Sequence, residues 1–400
     1  MNKRVFVTGA GIISAIGSGI TETFDALCKG TSGIHPIKLL QTVHNNLPAG
    51  EVPFTNDELA LMAGLSTSMG FTRTTLLAVA AAKQALSAAG ITDISESRTG
   101  LISATTVGGM DKSEIHYYEY LKEKKGNCYI DTHDCGDHCE QLADLTGIHD
   151  FITTASTACS SSANSILLAA RLIKHGQLDR VIAGGSECLT KFHLNGFNSL
   201  KILDAEPCKP FDAARAGINL GEGAAYLVLE SEESALKSGR TILCELTGYG
   251  NSCEAFHQTA SSPDGKGAAL AMDKAIRCAG IDAKEIGYVN AHGTGTDNND
   301  VSEGKALQHI FGAAIPPFSS TKPYTGHTTS AAGAIEAIIS IIALQHGKAW
   351  PNLNFVTQIE ELGFSPVAEL ISNLNIKHVL SNSFGFGGNN TSLIFTKHPA

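Results

Sequence analysis

One ordered set of landmarks occurs twice in this 400-residue chain, and that duplication limits its architecture more than any bulk property. Thr8-Gly-Ala-Gly11, after an apolar strand, has its counterpart in Thr247-Gly-Tyr-Gly250. A helical run over 76–89 ends in Ala89-Gly-Ile91, and a second over 268–279 ends in Ala279-Gly-Ile281. Each is followed by an acidic turn, a short strand (Gly100-Leu-Ile-Ser, Gly287-Tyr-Val-Asn) and a Gly/Thr loop (Thr105-Thr-Val-Gly-Gly, His292-Gly-Thr-Gly-Thr). The helix after Cys159 closes at His175-Gly176, and a later one, over 330–345, closes at His346-Gly347. Last, Arg180-Val-Ile-Ala-Gly-Gly matches His378-Val-Leu-Ser-Asn-Ser as a buried strand leading into a loop.

Strands alternating with helices in this order predict an α/β protein with mainly parallel or mixed sheets buried on both faces. The length exceeds one ordinary core, so two units are expected, residues 1–243 and 244–400. Two copies of one βαβ-type unit suggest two sheets packed back to back in an α/β/α/β/α layering. A pseudo-twofold then brings the loop at Cys159 against the loops at His292 and His327. The start Val5-Phe-Val-Thr-Gly-Ala-Gly-Ile-Ile-Ser resembles a dinucleotide-binding turn, but Ser14 occupies the third glycine's place and no acidic residue closes a second strand. A strand-to-helix turn of the duplicated fold is the better reading.

Composition excludes several function classes. With 43% hydrophobic and 17% charged residues the chain is ordinary globular material. The apolar segment at the start is too short for a leader's core, and the longest apolar stretch, 334–344, contains Glu336 and falls short of a bilayer. A cytoplasmic protein with no membrane contact is expected. Its ten cysteines show no framework spacing and should be thiols. The net charge of −10, with no basic stripe, argues against nucleic acid as a partner.

The candidate nucleophile is Cys159, in Thr153-Thr-Ala-Ser-Thr-Ala-Cys-Ser-Ser-Ser-Ala-Asn-Ser165, where a strand runs into an amphipathic helix. A thiol at the positive end of a helix is favoured as thiolate, whereas a buried cysteine is often only a small hydrophobe. The local pattern leaves these two readings even. Three later segments add reactive side chains in glycine-rich loops: His292 in Asn290-Ala-His-Gly-Thr-Gly-Thr296, Lys322 and His327 in Ser319-Ser-Thr-Lys-Pro-Tyr-Thr-Gly-His-Thr-Thr-Ser330, and two phenylalanines in Ser381-Asn-Ser-Phe-Gly-Phe-Gly-Gly-Asn-Asn390. Two histidines placed by pseudosymmetry opposite a cysteine at a helix start favour catalysis. Cys128-Tyr-Ile-Asp-Thr-His-Asp-Cys-Gly-Asp-His-Cys139 invites a metal, but it lacks a C-x₂-C pair, and no metal is expected.

From residue 3 to 395 the chain resembles the elongating, type II β-ketoacyl-[acyl carrier protein] synthases of the thiolase-fold superfamily. The motifs that carry the likeness are Thr157-Ala-Cys159-Ser-Ser, Asn290-Ala-His292-Gly-Thr, Ser320-Thr-Lys322 with Thr325-Gly-His327, and Asn382-Ser-Phe-Gly-Phe-Gly-Gly388. Ala183-Gly-Gly-Ser-Glu187, Pro210-Phe-Asp212 with Arg215, and Gly221-Glu-Gly223 fit as well. The resemblance implies a thiolase-like fold and a decarboxylative condensation of malonyl-carrier protein with an acyl chain on Cys159, in fatty acid or polyketide/polyene elongation. It implies His292, His327 and Lys322 as catalytic partners, with Glu303 pairing the lysine. Phe386 would supply an oxyanion N–H and a gate, supported by Phe384, while Thr294, Thr296, Val107, Gly388 and Asn389 would meet the pantetheine arm or substrate. It further implies a homodimer served by acyl carrier protein and no organic cofactor, with a monovalent cation near Asn290 and Glu336 as in some relatives. The relatives' basic docking cluster is missing from residues 54–73, so Arg73, Lys122, Lys124, Lys125, Lys201 and Lys209 are the candidates for carrier docking. A CoA-dependent thiolase-type enzyme and a non-catalytic chain-length-factor-like subunit are the alternatives. The histidine pair speaks against the first and Cys159 against the second.

Overall fold

The computed structural model describes residues 3–124 and 128–399. In the first half the strands Val5–Ser14, Gly223–Ser231, Arg180–Glu187, Thr99–Ala104 and Phe151–Ala155 lie side by side in that order. The first two contacts are antiparallel and the last two parallel. The second half repeats this with Cys244–Cys253, Asn389–Thr396, His378–Phe384, Ile286–Asn290 and Phe318–Ser319, again antiparallel twice and then parallel twice. The duplicated topology is therefore present strand for strand. The two sheets are also joined at one edge, where Phe6 pairs with Glu245 and Val7 with Cys244.

Helices Ser161–Lys174 and Ala332–His346 pack on each other, and each touches strands of both halves, which places them in the central layer. The largest apolar cluster joins Val5, Ile102 and Leu227 from the first half to Tyr288, Val379 and Leu393 from the second around these helices. Residues 332–344 are buried without exception. A helix apolar all round belongs in a core, and the one segment among the described residues long and apolar enough to cross a membrane, Thr329–His346, is this helix.

Arg73–Ala88 and Lys266–Ala279 cover the outer faces of the first and second halves. Glycines let them come close. A Cβ on Gly11 would lie 2.1 Å from the Ala81 carbonyl oxygen, and one on Gly250 would lie 2.2 Å from that of Ala271. Gly9 and Gly248 meet Ala85 and Ala275 in the same way, each at 2.3 Å. The paired Thr-Gly-x-Gly motifs are thus strand–helix packing sites, as their duplication indicated.

Candidate active site

The nucleophile corner is built from hydroxyls. Between Phe151–Ala155 and the helix Ser161–Lys174 the chain turns sharply, with Ala158 in the left-handed region at φ 53°. Ser161 Oγ accepts from Thr157 N at 2.8 Å and donates to the Ala158 carbonyl at 2.6 Å. Ser160 Oγ lies 2.8 Å from the Thr157 carbonyl and 2.9 Å from Asn389 Oδ1, two acceptors that share its one proton. These bonds explain the Ser/Thr density and leave Cys159 just ahead of the helix, one residue before its N-cap Ser160.

Cys159 is buried, with Sγ 3.2 Å from His327 Nε2. Burial pushes the thiol up to about 11, while the Lys322 charge and the Phe386 backbone N–H pull it down. The thiolate expected at a helix start is thus not the resting form. A partial charge of about half a unit at the helix end does not offset full desolvation here.

The second half supplies the facing wall. His292 follows the strand Ile286–Asn290, and its ring lies 5.3 Å from that of His327 at 82°. Lys322 Nζ sits 3.2 Å from His292 Nδ1 and donates to the His292 carbonyl at 2.5 Å. An ammonium can only donate, so Nδ1 accepts and the ring proton of His292 is fixed on Nε2. Burial, and then the Lys322 charge, hold both histidines well below the ordinary imidazole value, which keeps them neutral.

The acid that pairs Lys322 differs from expectation. It is Glu336, at 2.5 Å, projecting from the central helix. Glu303 instead accepts the backbone N–H groups of His292 (2.9 Å) and Gly293 (2.7 Å) and the Asn382 amide (3.2 Å). Glu303 therefore fixes the backbone of the histidine loop. Burial raises both carboxyls to about 7.

A cavity of about 250 Å³ reaches Cys159, His292 and His327 between Thr294, Thr296, Phe384 and Phe386. Thr294 and Thr296 bond through their hydroxyls at 2.9 Å. Phe384 leans on His292, ring to ring at 5.9 Å. Phe386 stacks on Phe197 at 5.8 Å and 18°. Sequence reasoning missed Phe197, because it lies on the helix Lys191–Ser199 with no motif of its own.

Three other candidates do not line this cavity. Val107 is packed in the first half's outer core. The Asn389 side chain accepts from Ser160, Asn164 and Asn251, tying the nucleophile helix to the second half. Gly388 turns the loop at φ 81°, its carbonyl accepting from Glu254 N at 3.1 Å. Among the docking candidates, Arg73 is withdrawn inward, bound to Glu222 at 2.6 Å and to the Val52 and Phe54 carbonyls. Lys201 is exposed at the cavity mouth, Lys122 and Lys124 are exposed elsewhere, Lys209 is half-buried, and Lys125 lies outside the described residues. The Cys128–Cys139 segment does not gather its donors: His138 bonds Ser103 and the Cys135 carbonyl, His133 bonds Ser113, and Cys139 points at the Thr153 carbonyl.

Comparison with known proteins fits this geometry. Residues 2–235 match the profile "Beta-ketoacyl synthase, N-terminal domain" and residues 243–356 match "Beta-ketoacyl synthase, C-terminal domain". The chain belongs to the β-ketoacyl synthase family. It is an acyltransferase of the condensing kind with the thiolase fold. It is 34% identical over 413 aligned positions to 3-oxoacyl-[acyl-carrier-protein] synthase 2 of Staphylococcus aureus (strain N315), covering 100% of this chain and 99% of the relative. The Vibrio cholerae protein of the same name is 33% identical, with 99% of each chain covered. Among solved structures, the ishigamide ketosynthase/chain length factor superposes with a TM-score of 0.94 at 32% identity over 100% of both chains. The ketosynthase ApeO in complex with its chain length factor ApeC, from Xenorhabdus doucetiae, gives 0.85 at 30% identity over 99% of this chain and 98% of that one.

Proposed function

We propose that this synthase elongates an acyl chain held on Cys159 with a two-carbon unit from malonyl-carrier protein, in fatty acid or polyketide synthesis. The observation that carries the reading is the triangle of Cys159, His327 and His292, with the His292 proton fixed by Lys322. In the first half-reaction Sγ attacks the thioester carbonyl of acyl-carrier protein while His327 Nε2 takes the thiol proton. The N–H groups of Cys159 and Phe386 hold the oxyanion, an arrangement worth about 100–1000-fold per donor. The carrier's pantetheine thiolate departs and recovers the proton from His327, whose low basicity favours its release. In the second, the malonyl thioester oxygen accepts from His292 Nε2–H and from neutral His327, whose single ring proton must then sit on Nε2. Carbon dioxide leaves, the enolate carbon attacks the Cys159 thioester, and the β-ketoacyl chain departs on the carrier, releasing Cys159 as a thiolate that takes one proton from solvent to return to the resting thiol. A cationic imidazole forms only in passing, at His327 during acyl transfer, and decarboxylation needs neither ring charged.

The partners follow from the same reading. Thr294 and Thr296 would meet the pantetheine arm, and Lys201 at the mouth is the best-placed docking cation for an acidic carrier. The strand Phe151–Ala155 is an open sheet edge, and the helix Met110–Glu123 buries none of its residues while exposing Ile115, Tyr117, Tyr118 and Leu121. An apolar edge of this kind is covered in stable proteins, here by a second copy in a cytoplasmic homodimer. Two structural relatives pair with chain length factors, which favours such a subunit as the second reading for that face. Asn290 Oδ1, Ser381 Oγ and Glu336 Oε2 are buried without a protein partner. These hard oxygen donors suit a monovalent cation, which Asn290 and Glu336 would hold as a structural counter-charge.

Incubation with acyl- and malonyl-carrier protein, followed by mass spectrometry, tests the mechanism. Cys159→Ala is expected to abolish acylation and condensation while some malonyl decarboxylation persists. Condensation at the wild-type rate by that variant would refute it.

A further inference from the structure

Glu187, the last residue of the strand Arg180–Glu187, is fully buried beside the site and touches none of the reacting atoms. Its carboxylate receives bonds from two segments. From the loop after Thr99–Ala104 come Thr105 Oγ1 at 2.7 Å, Thr106 N at 2.9 Å and Thr106 Oγ1. From the turn that follows His327 come Thr329 Oγ1 at 2.7 Å and Ser330 Oγ at 2.6 Å. His193 Nε2 closes the remaining side at 3.6 Å.

Thr329 has φ 43°. A β-branched residue in the left-handed region is a true outlier and costs about 1–3 kcal/mol, so something must hold it there. The two hydroxyl bonds from Thr329 and Ser330 to one carboxylate supply that hold, and hydrogen bonds to an ionised group are the strong kind. On its other side His327 is fixed by backbone alone, its N–H donating to the Asn219 carbonyl at 2.8 Å and its carbonyl accepting from Gly221 at 3.0 Å. His327 thus hangs between a backbone ladder and the Glu187 anchor.

We infer that Glu187 is a positioning residue for the condensation: through Thr329 and Ser330 it holds the strained turn that aligns His327 with His292 on the malonyl thioester oxygen. This role rests on the function proposed above. Acyl transfer needs only the short reach from Nε2 to Sγ, whereas decarboxylation needs His327 and His292 aligned together on one oxygen. Misplacement by about 1 Å costs on the order of 100-fold in such alignments.

The test separates the half-reactions. With Glu187→Gln, the rate constant for malonyl-carrier protein decarboxylation is expected to fall at least about tenfold, with Cys159 acylation within about threefold of wild type. Adding Thr329→Gly, which removes the cost of positive φ, should recover most of the lost decarboxylation. Thr329→Val removes one hydroxyl and leaves the carboxylate, so it should show the same split in milder form if Glu187→Gln does not fold, and thermal unfolding midpoints identify that case. Equal loss in both half-reactions, no loss, or no recovery with Thr329→Gly would each overturn the assignment and leave the backbone ladder as the whole support of His327. A wild-type protein that does not decarboxylate malonyl-carrier protein would instead overturn the functional reading, and this role with it.

Discussion

The two halves solve the same backbone problem and spend it on different chemistry. In each, the edge strand leads through a turn into a central helix. The first-half turn delivers Cys159, and its second-half equivalent, from Phe318–Ser319 to Ala332–His346, delivers Lys322 and His327. The next strand inward ends in Thr105 and Thr106 in one half and in His292 in the other. In the first half these loop residues bind Glu187, while in the second the loop side chain faces the cavity. One half therefore contributes a nucleophile on a stiff polar frame, and the other contributes neutral proton donors and acceptors beside a buried ammonium. The central helices, packed against each other, set the two corners face to face.

The largest break in that comparison is expected at the second half's loop. His292→Ala removes the N–H whose position Lys322 fixes, and decarboxylation should drop by about 100–1000-fold, the range for loss of one donor to a developing oxyanion. Acylation of Cys159, which relies on His327, should stay measurable. Release of carbon dioxide from malonyl-carrier protein, measured alongside acyl transfer, checks this. Comparable losses in both half-reactions would show that the histidines are not divided in this way.

A subtler break concerns charge. Both histidines lie well below the ordinary imidazole value, and the active form is the neutral one. Imidazolium then forms only as pH falls through those depressed values, so a change in decarboxylation between pH 8 and 6 reports Glu303 and Glu336, whose carboxyls burial raises to about 7, and the histidine limb lies below that window. Lys322→Met takes away a cation that disfavours imidazolium. The histidine values rise, and the acid limb of the profile moves up, toward the ordinary 6.5. An unmoved acid limb in that variant would remove electrostatics from the role of Lys322 and leave only its bonds to His292 and Glu336.

Residues whose role is announced by neighbours in the sequence were legible before the structure. Cys159 sits at a strand–helix junction, and His292 and His327 sit in glycine-rich loops. Pairings made across the fold were not legible. Glu303 was assigned to Lys322 by likeness to relatives, yet the partner is Glu336. A signal was present in the sequence: a lone carboxylate in an otherwise apolar helix needs a buried partner, and Lys322, 14 residues earlier in a motif already marked as part of the site, is a candidate. Arg73 looked available for docking because nothing local marks an arginine as buried. The thiol's raised value was also out of reach, since it follows from how deeply Cys159 sits and not from its place on a helix.

The smallest expected effect is a difference between the halves that should nearly vanish. A Cβ at Gly11 would strike the Ala81 carbonyl, and one at Gly250 the Ala271 carbonyl, at 2.1 and 2.2 Å. Both contacts are with helix backbone, which cannot swing aside, so each alanine should cost about 1–3 kcal/mol as an overpacked core position does. If duplication extends to the energetics, Gly11→Ala and Gly250→Ala should agree within about 0.5 kcal/mol, the limit to which independent sites usually add, and the double variant should show their sum. Denaturant unfolding of the three variants measures this. Unequal costs would mean that the halves share topology but differ in how rigidly their outer helices are held, the first against Asn56–Met62 and Asp137–Thr146 and the second against Asp297–Phe311.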